Sequence, residues 1–143
     1  MSTPDLVKQL PILIIVRAMI YNENNEFLIL KRNDLTQKWE LPGGKVERID
    51  TLDIALGKEI EEETGLTDYM LDQDTMHVSS SIGQKGKYKG FLVIDIFYKA
   101  RLIRFPEVKI SDEHTSYKWI TLLDLKKYEF TDFMLSKILL LAK

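Results

Sequence analysis

The chain has 143 residues, of which 45% are hydrophobic and 29% charged, and its formal net charge is −2 at pH 7. This length and composition are typical of one soluble globular domain, so we expect residues 1–143 to form a single domain. The small negative charge gives no global attraction to nucleic acid or to an anionic membrane. The sequence contains no cysteine, which excludes disulfides, thiol catalysis and cysteine-ligated zinc and suits a cytoplasmic location.

The most apolar stretch, residues 10–21, is interrupted by Arg17 and is about half as long as the ~20 residues of a membrane span. Asp5 and the lack of a small-residue cleavage site argue against a signal peptide. We therefore expect no membrane association and predict a strand over residues 12–21 that is buried on both faces. Arg17 within it extends to the edge of the sheet, pairs with a core acid or reaches the substrate phosphates.

A hairpin is predicted next, because residues 22–25 have the composition of a turn and residues 26–32 resume as a strand. Lys31 and Arg32 close this strand. They either hold phosphate oxygens or simply meet solvent as a charged strand end. Trp39 stands before a Pro-Gly-Gly turn, where it either packs on the sheet or walls a pocket in which a base could stack.

A helix is predicted from Asp50 or Thr51 to Thr64, because either of the first two residues can cap its start. Apolar residues recur at helical spacing over this segment and predict one buried stripe. Gly65 is expected to end the helix.

Glutamates crowd the end of this helix, and Glu59, Glu62 and Glu63 share one stripe of its surface. Like charges one turn apart repel each other, and carboxylates near a helix C-terminus meet the negative end of the macrodipole. A hard divalent cation such as Mg²⁺ or Mn²⁺ would make both effects favourable. The alternative is a solvated acidic face, which is what most charge runs are.

The second half of the chain is predicted to contain strands at residues 76–82, 90–102 and 117–120 and a closing amphipathic helix at 131–141. Thr121 is expected to cap a helical turn through residue 125. The basic turn with Lys85, Lys87 and Lys89 is either a solvated hairpin tip or a contact for a polyphosphate or an RNA end.

The spacing of residues 44–66 resembles the Nudix box of the MutT-like pyrophosphohydrolases, Gly-x5-Glu-x7-Arg-Glu-U-x-Glu-Glu-x-Gly-U, in which U is a bulky aliphatic residue. All but two of the defined positions match, and the departures keep charge but change reach. The matching segment reads Gly44, Asp50, Lys58-Glu59-Ile60, Glu62-Glu63 and Gly65-Leu66. The chain is therefore identified as a member of the Nudix family, and the resemblance implies an α/β/α sandwich around a mixed β-sheet.

The resemblance also implies Mg²⁺-dependent or Mn²⁺-dependent hydrolysis of a pyrophosphate bond in a nucleoside diphosphate linked to another moiety, with a nucleoside triphosphate as the expected substrate. The implied metal ligands are the Gly44 carbonyl and the carboxylates of Glu59, Glu62 and Glu63, of which Glu59 and Glu62 also serve catalysis. Lys58 is expected to hold Glu62, its i+4 neighbour, in place. Asp50 is expected to act outside the ligand set because its side chain is shorter than that of glutamate.

A further acid from a later loop is common in the family. Glu113 lies six residues before Trp119, a spacing similar to that of the late glutamate in MutT-like proteins. His114 is a weaker candidate for a base, since a lone histidine is more often structural or exposed, and His77 has no assigned role.

The expected partner is a small-molecule nucleotide, with no DNA or membrane partner, and a homodimer is left open. The alternative function is a non-catalytic Nudix-fold sensor. Such sensors typically lose box carboxylates and gain a DNA-binding domain, whereas this chain keeps its box acids. Hydrolysis of RNA 5′ ends would require a broad basic face, which the net charge does not indicate.

Overall fold

A mixed sheet of seven strands organises the part of the chain that the computed structural model describes, residues 10–47 and 50–143. Two α-helices and two short 3₁₀ helices accompany it within these residues. The strands are β1 Ile12–Tyr21, β2 Phe27–Arg32, β3 Trp39–Glu40, β4 Gly43–Lys45, β5 Tyr69–Ile82, β6 Leu92–Leu102 and β7 His114–Ile120. The helices are α1 Leu52–Thr64 and α2 Asp132–Leu141, and the 3₁₀ helices are Gly86–Tyr88 and Leu122–Lys127.

Strand β1 lies in the middle of the sheet. It pairs in parallel with β6 along its whole length and antiparallel with β2 and β4. Strand β5 pairs antiparallel with β6, and β2 also pairs with β3 and β7. Val16 and Ile20 of β1 pack in the cluster that contains α1, whereas Met19 packs in the cluster that contains α2. The prediction of a strand at residues 12–21, buried on both faces, is confirmed.

Each face of the sheet is covered by one helix. Leu56 and Ile60 of α1 are fully buried against one face, and Met134 and Ile138 of α2 are buried against the other. Burying one apolar stripe per helix on a sheet that is apolar on both faces gives three layers. The predicted α/β/α sandwich with a mixed sheet is confirmed.

The termini of α1 and α2 agree with the predictions, but one cap does not. Gly65 ends α1 in the left-handed conformation, with φ of 75°. Thr131 caps α2 by accepting a hydrogen bond from the backbone N–H of Met134 at 3.1 Å. Thr51 occupies the N-cap position of α1, yet its hydroxyl donates to Asp53 at 2.6 Å and makes no bond to the backbone of the first turn.

Two strand boundaries were predicted too short. Strand β5 begins at Tyr69, well before the predicted residue 76. The prediction missed its first part because the register shifts between Asp72 and His77, and this irregularity breaks the alternating pattern. Strand β7 begins at His114, which pairs with Arg32 of β2. No helix in the described part of the chain is long and apolar enough to cross a membrane.

Candidate active site

Two glycines allow strand β4 to approach both β1 and α1 closely. A Cβ atom on Gly43 would lie 2.1 Å from the carbonyl oxygen of Val16, and one on Gly44 would lie 2.5 Å from the carboxylate of Glu59. Any other residue would therefore displace the backbone or the acid. The absence of these two side chains leaves the room in which the Glu59 carboxylate lies beside the chain at Gly44.

Glu63 is the most deeply buried acid of α1, with 3% of its surface exposed. Its Oε1 accepts a hydrogen bond from the backbone N–H of Gly43 at 2.8 Å. Burial disfavours the charged form of a carboxyl and outweighs this hydrogen bond and the attraction of Arg17, so the pKa of Glu63 is raised to about 8. Without a further counter-charge, Glu63 is mostly protonated at neutral pH.

A buried histidine stands between two carboxyl groups. The Nε2 atom of His114 lies 2.9 Å from Oε2 of Glu40, and its Nδ1 atom lies 3.9 Å from Oε2 of Glu63. Within the described residues, Nδ1 is buried and has no hydrogen-bond partner. One donor atom from each of the three side chains lies within 4.8 Å of the others. We call Glu40, Glu63 and His114 the histidine cluster.

The charge of Glu40 fixes the orientation of this cluster. Burial acts to raise the pKa of Glu40, but the hydrogen bond from His114 and the charges of Arg17 and Arg32 together lower it. An ionised Glu40 only accepts hydrogen bonds, so Nε2 of His114 donates to it. Among the described residues, Nδ1 of His114 is therefore the ring nitrogen without a hydrogen-bond partner, and it lies beside the buried carboxyl group of Glu63.

The structure shows which contacts Arg17 makes, a question that the sequence left open. Its guanidinium donates to the carbonyl oxygen of Leu41 at 2.8 Å and lies 3.7 Å from Oε1 of Glu40. It thus pairs with a core acid, and it also lines the cleft described below.

The other acids predicted for the site lie close enough to influence one another. Glu59 is half-buried. Its pKa is raised mainly by burial and further by the negative charges of Glu62 and Glu113. Glu62 and Glu113 are themselves exposed. The fold therefore brings the loop acid Glu113 into the electrostatic environment of the box helix.

A cleft of about 900 Å³ extends over the histidine cluster and Glu113. Its lining includes the acids Glu63 and Glu113 and the cations Arg32, Lys85 and Lys87. Ligand sites typically measure about 300–1,000 Å³. The cleft is therefore large enough for a small molecule and offers groups of both signs, as a cation together with a polyphosphate would require.

The predicted substrate-binding residues fall in different places. Arg32 lines the cleft and forms an ion pair with Asp34 at 2.6 Å. Lys31 is not among the described residues that line the cleft. Successive side chains of a strand point to opposite faces, so Lys31 lies on the other side of β2 from Arg32. Trp39 packs edge-on against Tyr128, with 5.1 Å between ring centroids, and also lines a smaller pocket next to the cleft.

The basic turn before β6 is part of the cleft. Lys85 and Lys87 both line it, whereas Lys89 is not among the lining residues of the described chain. Of the two interpretations of this turn, a solvated tip or a phosphate contact, the placement of these two lysines favours the second.

The expectation that Lys58 holds Glu62 is wrong. Lys58 Nζ instead binds both carboxylate oxygens of Asp50, at 3.0 and 3.2 Å. Helical side chains lean toward the helix N-terminus, so Lys58 reaches back to the start of α1 and not forward to Glu62. The two departures from the Nudix box therefore contact each other.

Glu40 was missed by the sequence reasoning, and His114 was given little weight. Neither residue belongs to the box. Glu40 reaches the site because it pairs with Leu30 of β2, and His114 because it pairs with Arg32 of the same strand. The only signal was the position of Glu40 beside the Pro-Gly-Gly turn, which carries no information about the distant histidine.

Comparisons with known proteins agree with the fold. The family model of the NUDIX domain matches residues 12–139. The nucleoside triphosphatase NudI of Klebsiella pneumoniae is 30% identical over 127 residues, which cover 80% of this chain and 86% of that protein. The 8-oxo-dGTP diphosphatase of Buchnera aphidicola is 29% identical over 124 residues, which cover 81% of this chain and 82% of that protein. Among solved structures, the MutT protein from Methanosarcina mazei superimposes with a TM-score of 0.69 at 30% identity, covering 92% of each chain.

Fold and site together define a hydrolase that acts on phosphoric anhydrides. The chain belongs to the Nudix family and is a Nudix pyrophosphohydrolase.

Proposed function

We propose that this enzyme hydrolyses a pyrophosphate bond in a nucleoside diphosphate linked to another moiety, that it requires Mg²⁺ or Mn²⁺, and that its substrate is a nucleoside triphosphate. The observation that carries the proposal is the cleft, in which Glu63 of α1 and the loop acid Glu113 share one space with Arg32, Lys85 and Lys87. The names of two relatives, a nucleoside triphosphatase and an 8-oxo-dGTP diphosphatase, support a triphosphate.

The residues present fit a hard divalent cation. The Gly44 carbonyl and the carboxylates of Glu59, Glu62 and Glu63 would hold it, since Mg²⁺ and Mn²⁺ prefer oxygen ligands. The raised pKa of Glu63 and of Glu59 marks a site that lacks positive charge, and the unpartnered Nδ1 of His114 lies at its edge. When bound, the ion would neutralise phosphate oxygens and polarise the reacting phosphoryl group.

The chain's own cations would bind and orient the polyphosphate. Arg32 offers a planar fork of N–H donors that suits two phosphate oxygens at once, whereas Lys85 and Lys87 act as compact charges. Holding the substrate in one geometry contributes to the rate because the attacking water and the phosphorus no longer need to find each other. Lys31 is proposed only as a long-range charge, since it does not line the cleft.

Glu113 is proposed as the group that accepts a proton from the attacking water. It is exposed, lines the cleft and acts on the charge of Glu59, so a substrate in the cleft would be within its range. Glu59 and Glu62 would support the reaction by stabilising charge on the α1 side. His114 is proposed as a positioning residue that holds Glu40 and Glu63 apart at fixed distances.

The enzyme is proposed to be cytoplasmic and to act on free nucleotides without a DNA or membrane partner. Homodimer formation stays a prediction, which light scattering of the purified protein would check.

A substrate panel tests the proposal. The purified protein is incubated with canonical and oxidised nucleoside triphosphates, ADP-ribose, nucleotide sugars and Ap4A in the presence of Mg²⁺, and the phosphate products are quantified. We expect the highest kcat/KM with a triphosphate. Turnover of ADP-ribose or Ap4A with none of the triphosphates would contradict the proposed substrate, and binding without any turnover would favour the sensor function.

A further inference from the structure

A second pocket, of about 200 Å³, adjoins the cleft on the face of the sheet that α2 covers. The two spaces share Arg17, Arg32 and Glu40 in their linings. This pocket is smaller than the about 300–1,000 Å³ of a typical site for a whole ligand. Its size and position suit one part of a molecule whose remaining atoms lie in the cleft.

The wall of this pocket contains an acid that accepts no hydrogen bond from the described residues. Asp95 of β6 is 6% exposed and lies in register between Ile15 of β1 and Ser79 of β5. Its carboxyl group feels Arg17 and Lys137 only through their charge. Its oxygens are not among the fully buried polar atoms without a partner in the described part of the chain, so they keep some accessible surface. A ligand in the pocket could therefore donate a hydrogen bond to Asp95.

Part of the remaining lining suits a flat ring. Trp39, Phe133 and Met134 provide apolar and aromatic surface, whereas most of the other lining residues are polar or charged. The rings are held in place from behind, since Trp39 packs against Tyr128 and the Phe133 ring lies 6.0 Å from that of Phe97. Aromatic surface together with polar groups that can fix orientation is the usual composition of a heterocycle site.

We propose that Asp95 is a specificity-determining residue that hydrogen-bonds the edge of the substrate base in this pocket. The inference rests on the proposed function, because a nucleotide whose phosphates occupy the cleft is what brings a base to the pocket. It goes beyond that function by naming the residue that selects the base.

The chemistry of a carboxyl group indicates which bases Asp95 favours. A carboxyl oxygen accepts hydrogen bonds whether or not the group carries a proton. An acceptor complements the exocyclic amino group that adenine, cytosine and guanine present. Uracil has a carbonyl oxygen in place of this group, so we expect it to be disfavoured.

The test compares base preference in four proteins. The values of kcat/KM for ATP, CTP, GTP and UTP are measured for the wild type, Asp95→Asn, Asp95→Leu and the control Asp72→Leu, which removes an exposed acid of β5 outside the pocket. We expect the wild type to prefer the best of ATP, CTP and GTP over UTP by about tenfold or more, in line with the worth of a hydrogen bond in a binding site.

Asp95→Asn keeps an acceptor oxygen and should keep the preference within about threefold, as should Asp72→Leu. Asp95→Leu should reduce the preference to about threefold or less. Because each ratio is taken within one variant, a smaller folded fraction cannot change it. An unchanged ratio in Asp95→Leu, or a wild type that hydrolyses UTP as well as the other three, would overturn the role of Asp95 while the proposed function stands. A wild type that hydrolyses none of these or the oxidised triphosphates would overturn both.

Discussion

The acidic side of the cleft and the Asp95 pocket lie side by side but are assembled differently. Gly44, Glu59 and Glu63 come from one glycine turn and the helix that follows it. The pocket instead combines Trp39 of β3, Asp95 of β6 and residues of α2, which are far apart in the chain. The groups proposed for bond cleavage are thus encoded in one local segment, whereas those proposed for selectivity depend on tertiary structure.

Both regions contain a buried carboxyl group whose pKa is raised, yet the surroundings differ. Glu63 accepts a hydrogen bond from Gly43 and has other acids and His114 beside it. Asp95 accepts no hydrogen bond from the described residues and shares its pocket with aromatic side chains and with cations such as Arg17. Several carboxyl groups that converge on one point suit a cation, whereas a carboxyl beside aromatic side chains suits the N–H edge of a heterocycle.

The largest effect is expected from Glu59→Gln, which removes a charge from the local segment. We predict that kcat falls by about 10³-fold, because a carboxylate that stabilises the transition state through charge is lost. Glu61→Gln is the matched control, since Glu61 is exposed on the same helix, whereas Glu59 is half-buried beside Gly44, which lines the cleft. The measurement is steady-state hydrolysis of the best triphosphate, with circular dichroism to verify folding. A loss below about tenfold in Glu59→Gln would remove it from the proposed site.

Glu113→Gln should lower kcat by about 10²-fold, the lower end of what general-base catalysis contributes. The affinity for Mn²⁺, measured by isothermal titration, should stay unchanged if Glu113 acts as a base alone. Asp112→Asn is the control, because this neighbouring acid does not line the cleft. Wild-type turnover in Glu113→Gln together with its loss in His114→Ala would place the base at the histidine cluster.

The raised pKa of Glu63 should make the stability of the folded protein depend on pH. The folded-state pKa of Glu63 is about 8 against the ordinary value of 4.5, so the folded protein binds this proton more tightly than the unfolded chain. This contribution is fully present below pH 4.5 and is lost as the pH rises toward 8, with a slope of at most about 1.4 kcal/mol per pH unit.

Thermal unfolding of the metal-free protein between pH 5 and pH 8 measures this effect. The wild type should lose Tm relative to Glu63→Gln as the pH rises, and added Mg²⁺ should restore part of the loss. Parallel Tm curves for the two proteins would show that Glu63 does not hold a proton in this range.

The smallest effects are expected at the two departures from the Nudix box. Lys58 is exposed and binds Asp50 through an ion pair, which is usually worth less than about 1 kcal/mol. Asp50→Glu should therefore change kcat by less than about tenfold, and Lys58→Arg should be nearly silent because arginine can make the same contact. Kinetics of both variants and of the double variant check this. A large gain in Asp50→Glu would mean that the natural protein is impaired, which favours the sensor function.

The sequence predicts the locally encoded half of this comparison well. The ends of α1, the central strand at residues 12–21 and the family follow from periodicity and from the spacing of the box, since each depends on neighbours in the chain. The proximity of Glu59 to Gly44 follows from the same segment.

The other half depends on side-chain direction and strand register, which the sequence does not display. Lys58 binds Asp50 and not Glu62 because of the lean of helical side chains. Glu40 and His114 meet only because both of their strands pair with β2, and Asp95 adjoins the cleft only because β6 pairs with β1. A register shift such as the one in β5 cannot be located from alternation alone.

The central claim, that a divalent cation held by the acids of α1 serves the hydrolysis of a nucleotide, is tested most directly by a metal titration. Turnover of the best triphosphate is followed in excess EDTA and then with Mg²⁺ or Mn²⁺ added in steps, for the wild type and for Glu59→Gln. The account predicts no turnover in EDTA, full recovery with either ion in the wild type, and recovery in the variant only to its lowered rate. Full turnover in excess EDTA would contradict it.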